Sequence, residues 1–187
     1  VHLENTEFPW RKGMAGLGFD SEAIYRPNFG TAEFCSNRLY DLGGKYVFSP
    51  KPGKVLAKLG YIINPPRNVS RESMMRGVAI GMKKLCNHLP PVKLVVDRIL
   101  ELTEGSTAYY VRNFDEHILK SNGPYEVTRE INYHMYNQYY YHSGIHKSLA
   151  TTISTMKLGD EYNNAHVMLL FDRDTSGPQM IYAPIGA

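Results

Sequence analysis

The sequence predicts an α+β fold: a small N-terminal β-hairpin module, a mainly helical middle, and a C-terminal extension with at least one strand. Three observations carry that reading. Two strand-like runs, residues 32–40 and 45–48, flank Asp41-Leu42-Gly43-Gly44, whose two glycines can take positive φ. Beyond the rigid Asn64-Pro65-Pro66-Arg67-Asn68, apolar residues recur at helical spacing. Near the end, residues 165–171 form a short apolar run of the kind found in buried strands.

With 187 residues, 43% of them hydrophobic and 21% charged, the chain can bury a core and is too apolar for a disordered one. Residues 1–31 are turn-rich, punctuated by Gly13, Gly16, Gly18 and Gly30, with Pro27 as a helix breaker and a short helix over 21–25. The hairpin follows, and the loop Ser49-Pro50-Lys51-Pro52-Gly53-Lys54 leads into 55–61. Ser70 reads as an N-cap for a helix bearing Met74, Met75, Val78, Met82, Leu85 and Cys86. Gly77 and Gly81 weaken that helix by about 1 kcal/mol each, which implies close packing of another element there. Pro90-Pro91 ends it and opens a second, with an apolar stripe of Val92, Val95, Val96, Ile99 and Leu100 and Gly105 just past its end. Thr128 caps a helix reaching about His142, with Ile131, Met135 and Tyr139 on one face, and a further helix covers 146–156. The apolar segment 177–187 reads as an extended tail.

No apolar run approaches the roughly 20 residues that cross a bilayer, and the first residues lack the basic start and apolar stretch of a signal peptide. Cys35 and Cys86 cannot form a disulfide framework, so the expectation is a soluble protein of a reducing compartment. The net charge is only +3, but it is unevenly spread. Between Leu42 and Arg71 stand six basic residues (Lys45, Lys51, Lys54, Lys58, Arg67, Arg71) and no acid, while the rest of the chain holds 15 basic against 18 acidic residues. Such clustering is the footprint of a surface that tracks phosphates.

The most specific signal is Phe34-Cys35-Ser36, followed by a hairpin and by Lys51-Pro52-Gly53-Lys54-Val55-Leu56-Ala57-Lys58. It resembles motif E of positive-strand RNA virus RNA-dependent RNA polymerases, whose Phe-Cys-Ser turn opens the primer grip. Upstream, Leu17-Gly18-Phe19-Asp20-Ser21-Glu22-Ala23-Ile24-Tyr25-Arg26 resembles motif D, and downstream Ser73-Met74-Met75-Arg76-Gly77 with its helix pair resembles the start of a thumb. Order and spacing agree over about residues 14–105. The resemblance implies three parts: the end of a palm with motifs D and E (1–64), a helical thumb (65–158) and a C-terminal extension (159–187).

It also implies a role: gripping the primer or nascent strand and guiding the RNA duplex during template-directed nucleotidyl transfer. Short polar side chains at a tight turn, Cys35 and Ser36 beside Phe34, allow contact with the terminal phosphate and sugar. Lys45, Lys51, Lys54 and Lys58 then follow the departing A-form duplex through its backbone. Arg26 stands where motif D usually carries the basic residue nearest the leaving pyrophosphate. A guanidinium with a pKa above about 12 is a poor proton donor, so charge stabilisation is its expected role.

The Asp-rich motifs that bind Mg2+ in this family, and nucleoside triphosphates with it, would lie N-terminal to Val1. The expected partners are therefore primer–template RNA and the remaining fingers and palm, in the same or another chain, acting in host cytoplasm or inside a virion. The chain alone is expected to be inactive.

The rival expectation is a non-enzymatic viral RNA-binding structural or assembly protein, suggested by the apolar tail 180–187; a cellular RNA-binding module is a third. Other constellations are weaker. Asp172 and Asp174 are spaced like a metal pair but read better as turn-forming residues before Ser176-Gly177. His142 and His146 lack a third zinc ligand. The tyrosines, including Tyr139-Tyr140-Tyr141, suit helix interfaces better than base stacking.

Overall fold

A computed structural model of the chain describes residues 9–20, 29–62, 65–110, 123–160 and 164–176. It is α+β, as expected, with one three-stranded antiparallel sheet and a larger set of helices. A helix α1 (Pro9–Gly16) forms in the segment read as turns and ends where Gly18 takes φ +83°. The expected helix over 21–25 lies outside the described residues.

The run 32–40 is not one strand. After a 3-10 turn at Phe29–Thr31 come β1 (Glu33–Phe34) and β2 (Asn37–Asp41), joined by a two-residue turn at Cys35-Ser36. Both turn residues carry positive φ, +48° and +64°. This is the condition of a type I′ hairpin turn, whose twist matches the strands it joins. β3 (Tyr46–Pro50) pairs with β2 across the Gly43-Gly44 loop, where Asp41 Oδ1 accepts from both glycine N–H groups. Alternation then makes the sheet one-sided: Arg38, Tyr40, Val47 and Ser49 are buried, while Tyr46 and Phe48 face outward.

α2 (Pro52–Lys58) begins inside the segment 49–54 that reads as a loop in the sequence. α3 (Arg71–Cys86) begins at Ser70, whose hydroxyl accepts from Ser73 N–H at 3.1 Å. Gly77 has the reason its cost implied: a β-carbon there would stand 1.8 Å from the Tyr109 carbonyl oxygen. Val78, by contrast, faces solvent. α4 (Pro90–Leu102) buries Val92, Val95, Val96 and Ile99. Arg76 ties the pair by donating to the carbonyls of Leu100 and Thr103, where a cation suits a helix C-terminus.

α5 (Arg129–Tyr139) starts at the Thr128 cap and buries Ile131, Met135 and Tyr139. It stops three residues short of His142 because Tyr140 turns left-handed, and His142 instead caps α6 (Ser143–Thr155). The expected strand at 165–171 is a helix, α7 (Ala165–Thr175), capped by Asn164. Val167, Leu170 and Asp174 are its buried residues, a helical interval that a seven-residue apolar run does not distinguish from a strand.

The core joins Tyr40 and Val47 of the sheet to Leu56, Leu89, Val92, Val96, Ile131, Met135, Leu149 and Leu170. α2 crosses α7 so closely that a β-carbon on Gly53 would lie 2.3 Å from the Leu170 backbone. Among the described residues no helix is long and apolar enough to cross a membrane.

Candidate RNA interface

The β1–β2 turn projects from the sheet. Phe34 is 71% exposed and Cys35 is a free, exposed thiol. Lys54 Nζ lies 3.3 Å from Ser36 Oγ, so the first lysine of α2 stands directly over the turn. Lys58 follows four residues on, hence on the same side of the helix, and is exposed. Phe34, Cys35, Ser36, Lys54 and Lys58 therefore form one surface.

Lys45 does not join them. It sits in the β2–β3 loop at the other end of the sheet, about 17 Å away at ~3.3 Å per residue, with its ammonium 4.5 Å from the centre of the Tyr125 ring. Lys51 is withdrawn altogether: it is 3% exposed, its Nζ is 2.5 Å from Glu33 Oε2 and it donates to the Asp174 carbonyl. A buried, paired ammonium is not a phosphate contact, which corrects the expectation for this residue. Arg26 and the segment 177–187 lie outside the described residues.

What holds the turn in position is a polar chain that runs from the exposed Glu33 into the buried Arg38, Tyr139 and Asp174. Glu33 and Arg38 are cross-strand partners, with Arg38 Nε and Nη2 donating to Glu33 Oε1 at 3.0 and 2.7 Å. Arg38 Nη1 donates to the Tyr139 hydroxyl at 2.7 Å, and that hydroxyl donates to Asp174 Oδ1 at 2.7 Å. Asp174 Oδ2 accepts from the backbone N–H groups of Gly53 and Lys54 at 2.7 and 3.1 Å. Asp174 thus caps α2 from a different part of the chain, supplying the negative charge that a helix N-terminus favours.

Burial works to raise the Glu33 pKa, but its bonds to Lys51 and Arg38 outweigh it and hold the carboxyl below its usual value. Burial pushes Asp174 up, and its bonds from Tyr139, Lys54 and Gly53 offset this only in part. Sequence reasoning missed Glu33, Arg38, Tyr139 and Asp174 as a group; only the Glu33–Arg38 pair straddling a two-residue turn offered a local signal.

The remaining candidates fall into structural roles. Asp172 and Asp174 are two apart on α7, about 200° around the helix. One is exposed and the other buried, so they cannot share an ion, and neither belongs to a turn. Among the described residues no group of three or more potential metal ligands comes together. His142 Nδ1 accepts from Gly144 N–H, and His146 Nδ1 pairs with the Tyr141 hydroxyl. Cys86 is buried, which pushes its thiol pKa up to about 12, the setting of an inert structural cysteine.

Non-glycine residues at positive φ cost about 1–2 kcal/mol each, and such strain gathers at functional positions. Asn-Gly is the preferred pair for this turn. The double variant Cys35→Asn, Ser36→Gly is expected to gain about 1 kcal/mol in a urea titration while weakening primer–template binding. A variant no more stable than the parent would mean that the turn is unstrained.

Comparison with protein-family models, with curated proteins and with solved structures gave no match.

Proposed function

We propose that this chain is the primer-gripping hairpin and thumb of a viral RNA-directed RNA polymerase, completing a nucleotidyltransferase whose metal-binding acids belong to the remaining palm, in the same or another chain. The observation that carries the reading is the juxtaposition at the β1–β2 turn. An exposed, strained Cys35-Ser36 pair projects beside Phe34, with Lys54 3.3 Å from the Ser36 hydroxyl and Lys58 a turn further along α2. That arrangement suits a strand terminus: small polar groups approach the sugar and last phosphate, and two ammonium groups meet the phosphates behind it.

The polar chain from Glu33 to Asp174 adds rigidity, because it fixes the turn and the start of α2 in one frame. Precise holding of a reacting end is what template-directed transfer requires of a grip. Phe48, half exposed on the outer side of the sheet, belongs to the surface that the remaining fingers and palm would cover. Arg26, at the motif D position, is assigned to charge stabilisation at the leaving pyrophosphate.

The test is primer–template RNA binding as a function of salt. Each lysine–phosphate contact contributes about 0.9 to the slope of log K against log salt on a duplex. The Lys54→Ala, Lys58→Ala double variant is expected to lower the magnitude of that slope by about 2, and Lys45→Ala to leave it nearly unchanged. Binding that is absent, or indifferent to Lys54 and Lys58, would favour the rival reading of a structural or assembly protein.

A further inference from the structure

At the Lys45 end of the sheet, away from the β1–β2 turn, α5 and the outer side of β2 and β3 enclose an open cavity of about 540 Å³. That volume lies within the ~300–1,000 Å³ typical of small-ligand sites. Its walls are aromatic and its rim is acidic. Phe29 and Tyr46 pack edge to face, ring centres 5.3 Å apart, and form one corner; Tyr133, 70% exposed on α5, faces the cavity from the other side.

Two carboxylates meet at the rim around Gly43. Asp41 Oδ1 accepts from Gly43 N–H at 2.8 Å, and Glu130 Oε2 lies about 3.5 Å from where a β-carbon on Gly43 would stand. Among the described residues neither is paired with a cation. Arg129, at the first position of α5, also borders the cavity.

We propose that this cavity binds an unpaired guanine nucleotide of RNA, a second RNA site separate from the grip; the proposal rests on the reading of the chain as RNA-binding. Aromatic faces stack on any base, at roughly 1–3 kcal/mol per base. The acids select among them. A carboxylate accepts two parallel hydrogen bonds from the adjacent N1–H and N2–H donors of guanine, a charge-assisted bidentate pair. Adenine offers one donor beside an unprotonated ring nitrogen, which a carboxylate repels, and uracil one donor between two carbonyls. The Arg129 guanidinium supplies the counter-charge for the nucleotide phosphate.

The experiment is equilibrium binding of GMP, AMP, CMP and UMP to the 187-residue chain. GMP is expected to bind at least tenfold more tightly than the other three, and Glu130→Gln and Tyr133→Ala are each expected to weaken it about tenfold or more. Both residues are exposed, so neither change threatens the fold. Equal binding of all four nucleotides, absence of GMP binding, or GMP binding that survives both substitutions would overturn the proposal. Free arginine binding as tightly as GMP would also do so, by marking a guanidinium site. Primer–template binding separates the two readings. If its dependence on Lys54 and Lys58 holds while GMP fails to bind, only the guanine site falls. If that dependence fails as well, the RNA-binding reading falls with it.

Discussion

An Asp174→Ala chain is expected to lose about 3–5 kcal/mol of unfolding free energy, the usual consequence of removing one partner from a buried charged network. The reason is the number of groups left without an acceptor. Asp174 is 2% exposed and accepts from the Tyr139 hydroxyl and from the N–H groups of Gly53 and Lys54. Alanine satisfies none of them. Each buried donor so orphaned costs about 1–3 kcal/mol, and the positive charges of Arg38 and Lys51 stay behind, now balanced only by Glu33. Asp174→Asn, which keeps the shape and one acceptor, should lose markedly less.

Urea denaturation followed by circular dichroism measures the loss, and a double-mutant cycle with Tyr139→Phe measures the coupling, expected at about 1–2 kcal/mol. A loss below about 1 kcal/mol for Asp174→Ala would mean that the chain from Glu33 to Asp174 does not hold the frame. Its role in positioning the turn would then fall. The same variant should weaken primer–template binding even where it stays folded, because α2 carries Lys54 to Ser36.

Local grammar made much of this fold legible, and its failures share a cause. The α3–α4 pair, the caps at Ser70 and Thr128, and the glycine-rich β2–β3 loop rest on residues a few positions apart, and each is found where the sequence implies it. α2 was hidden because Lys51-Pro52-Gly53 resembles a loop and its cap arrives from Asp174, 121 residues downstream of Gly53. Lys51 looked like a surface charge because its acid partner, Glu33, stands just upstream of the acid-free stretch that begins at Leu42. α7 reads as a strand in the sequence because its apolar run is too short to show a period, and its last buried residue is an aspartate.

At the candidate interface, residue types were legible and their grouping only in part. Cys35, Ser36, Lys54 and Lys58 converge, whereas Lys45 depends on which end of the sheet its loop occupies. A lysine count cannot supply that.

Acid should loosen the protein well above the carboxylate range, through two histidines packed against Tyr40. His88 is fully buried, its ring centre 5.5 Å from that of Tyr40, and among the described residues neither ring nitrogen has a hydrogen-bond partner. His134 of α5 packs on Tyr40 at 4.9 Å, with its Nε2 likewise buried and unpartnered. Burial lowers both pKa values to about 4 from 6.5, and at His134 the Arg38 charge adds to the effect.

The sign follows from proton counts. Between about pH 6.5 and 4 the unfolded chain holds the extra proton and the folded chain does not, so stability falls as pH falls through that window. For His88 alone the loss is about 2 kcal/mol by pH 5. Asp174 acts in the opposite direction, since its raised pKa lets the folded state take up a proton first, whereas the lowered carboxyls of Glu33 and Asp97 add to the loss in acid. The difference between parent and His88→Leu removes that contribution. It should be smallest near pH 7, where leucine already gains by replacing an unpartnered imidazole, and should widen by about 2 kcal/mol toward pH 5. Parallel stability curves for the two chains across that range would mean that His88 finds a proton acceptor, or water, in the folded protein. The packing around Tyr40 would then owe nothing to a neutral imidazole.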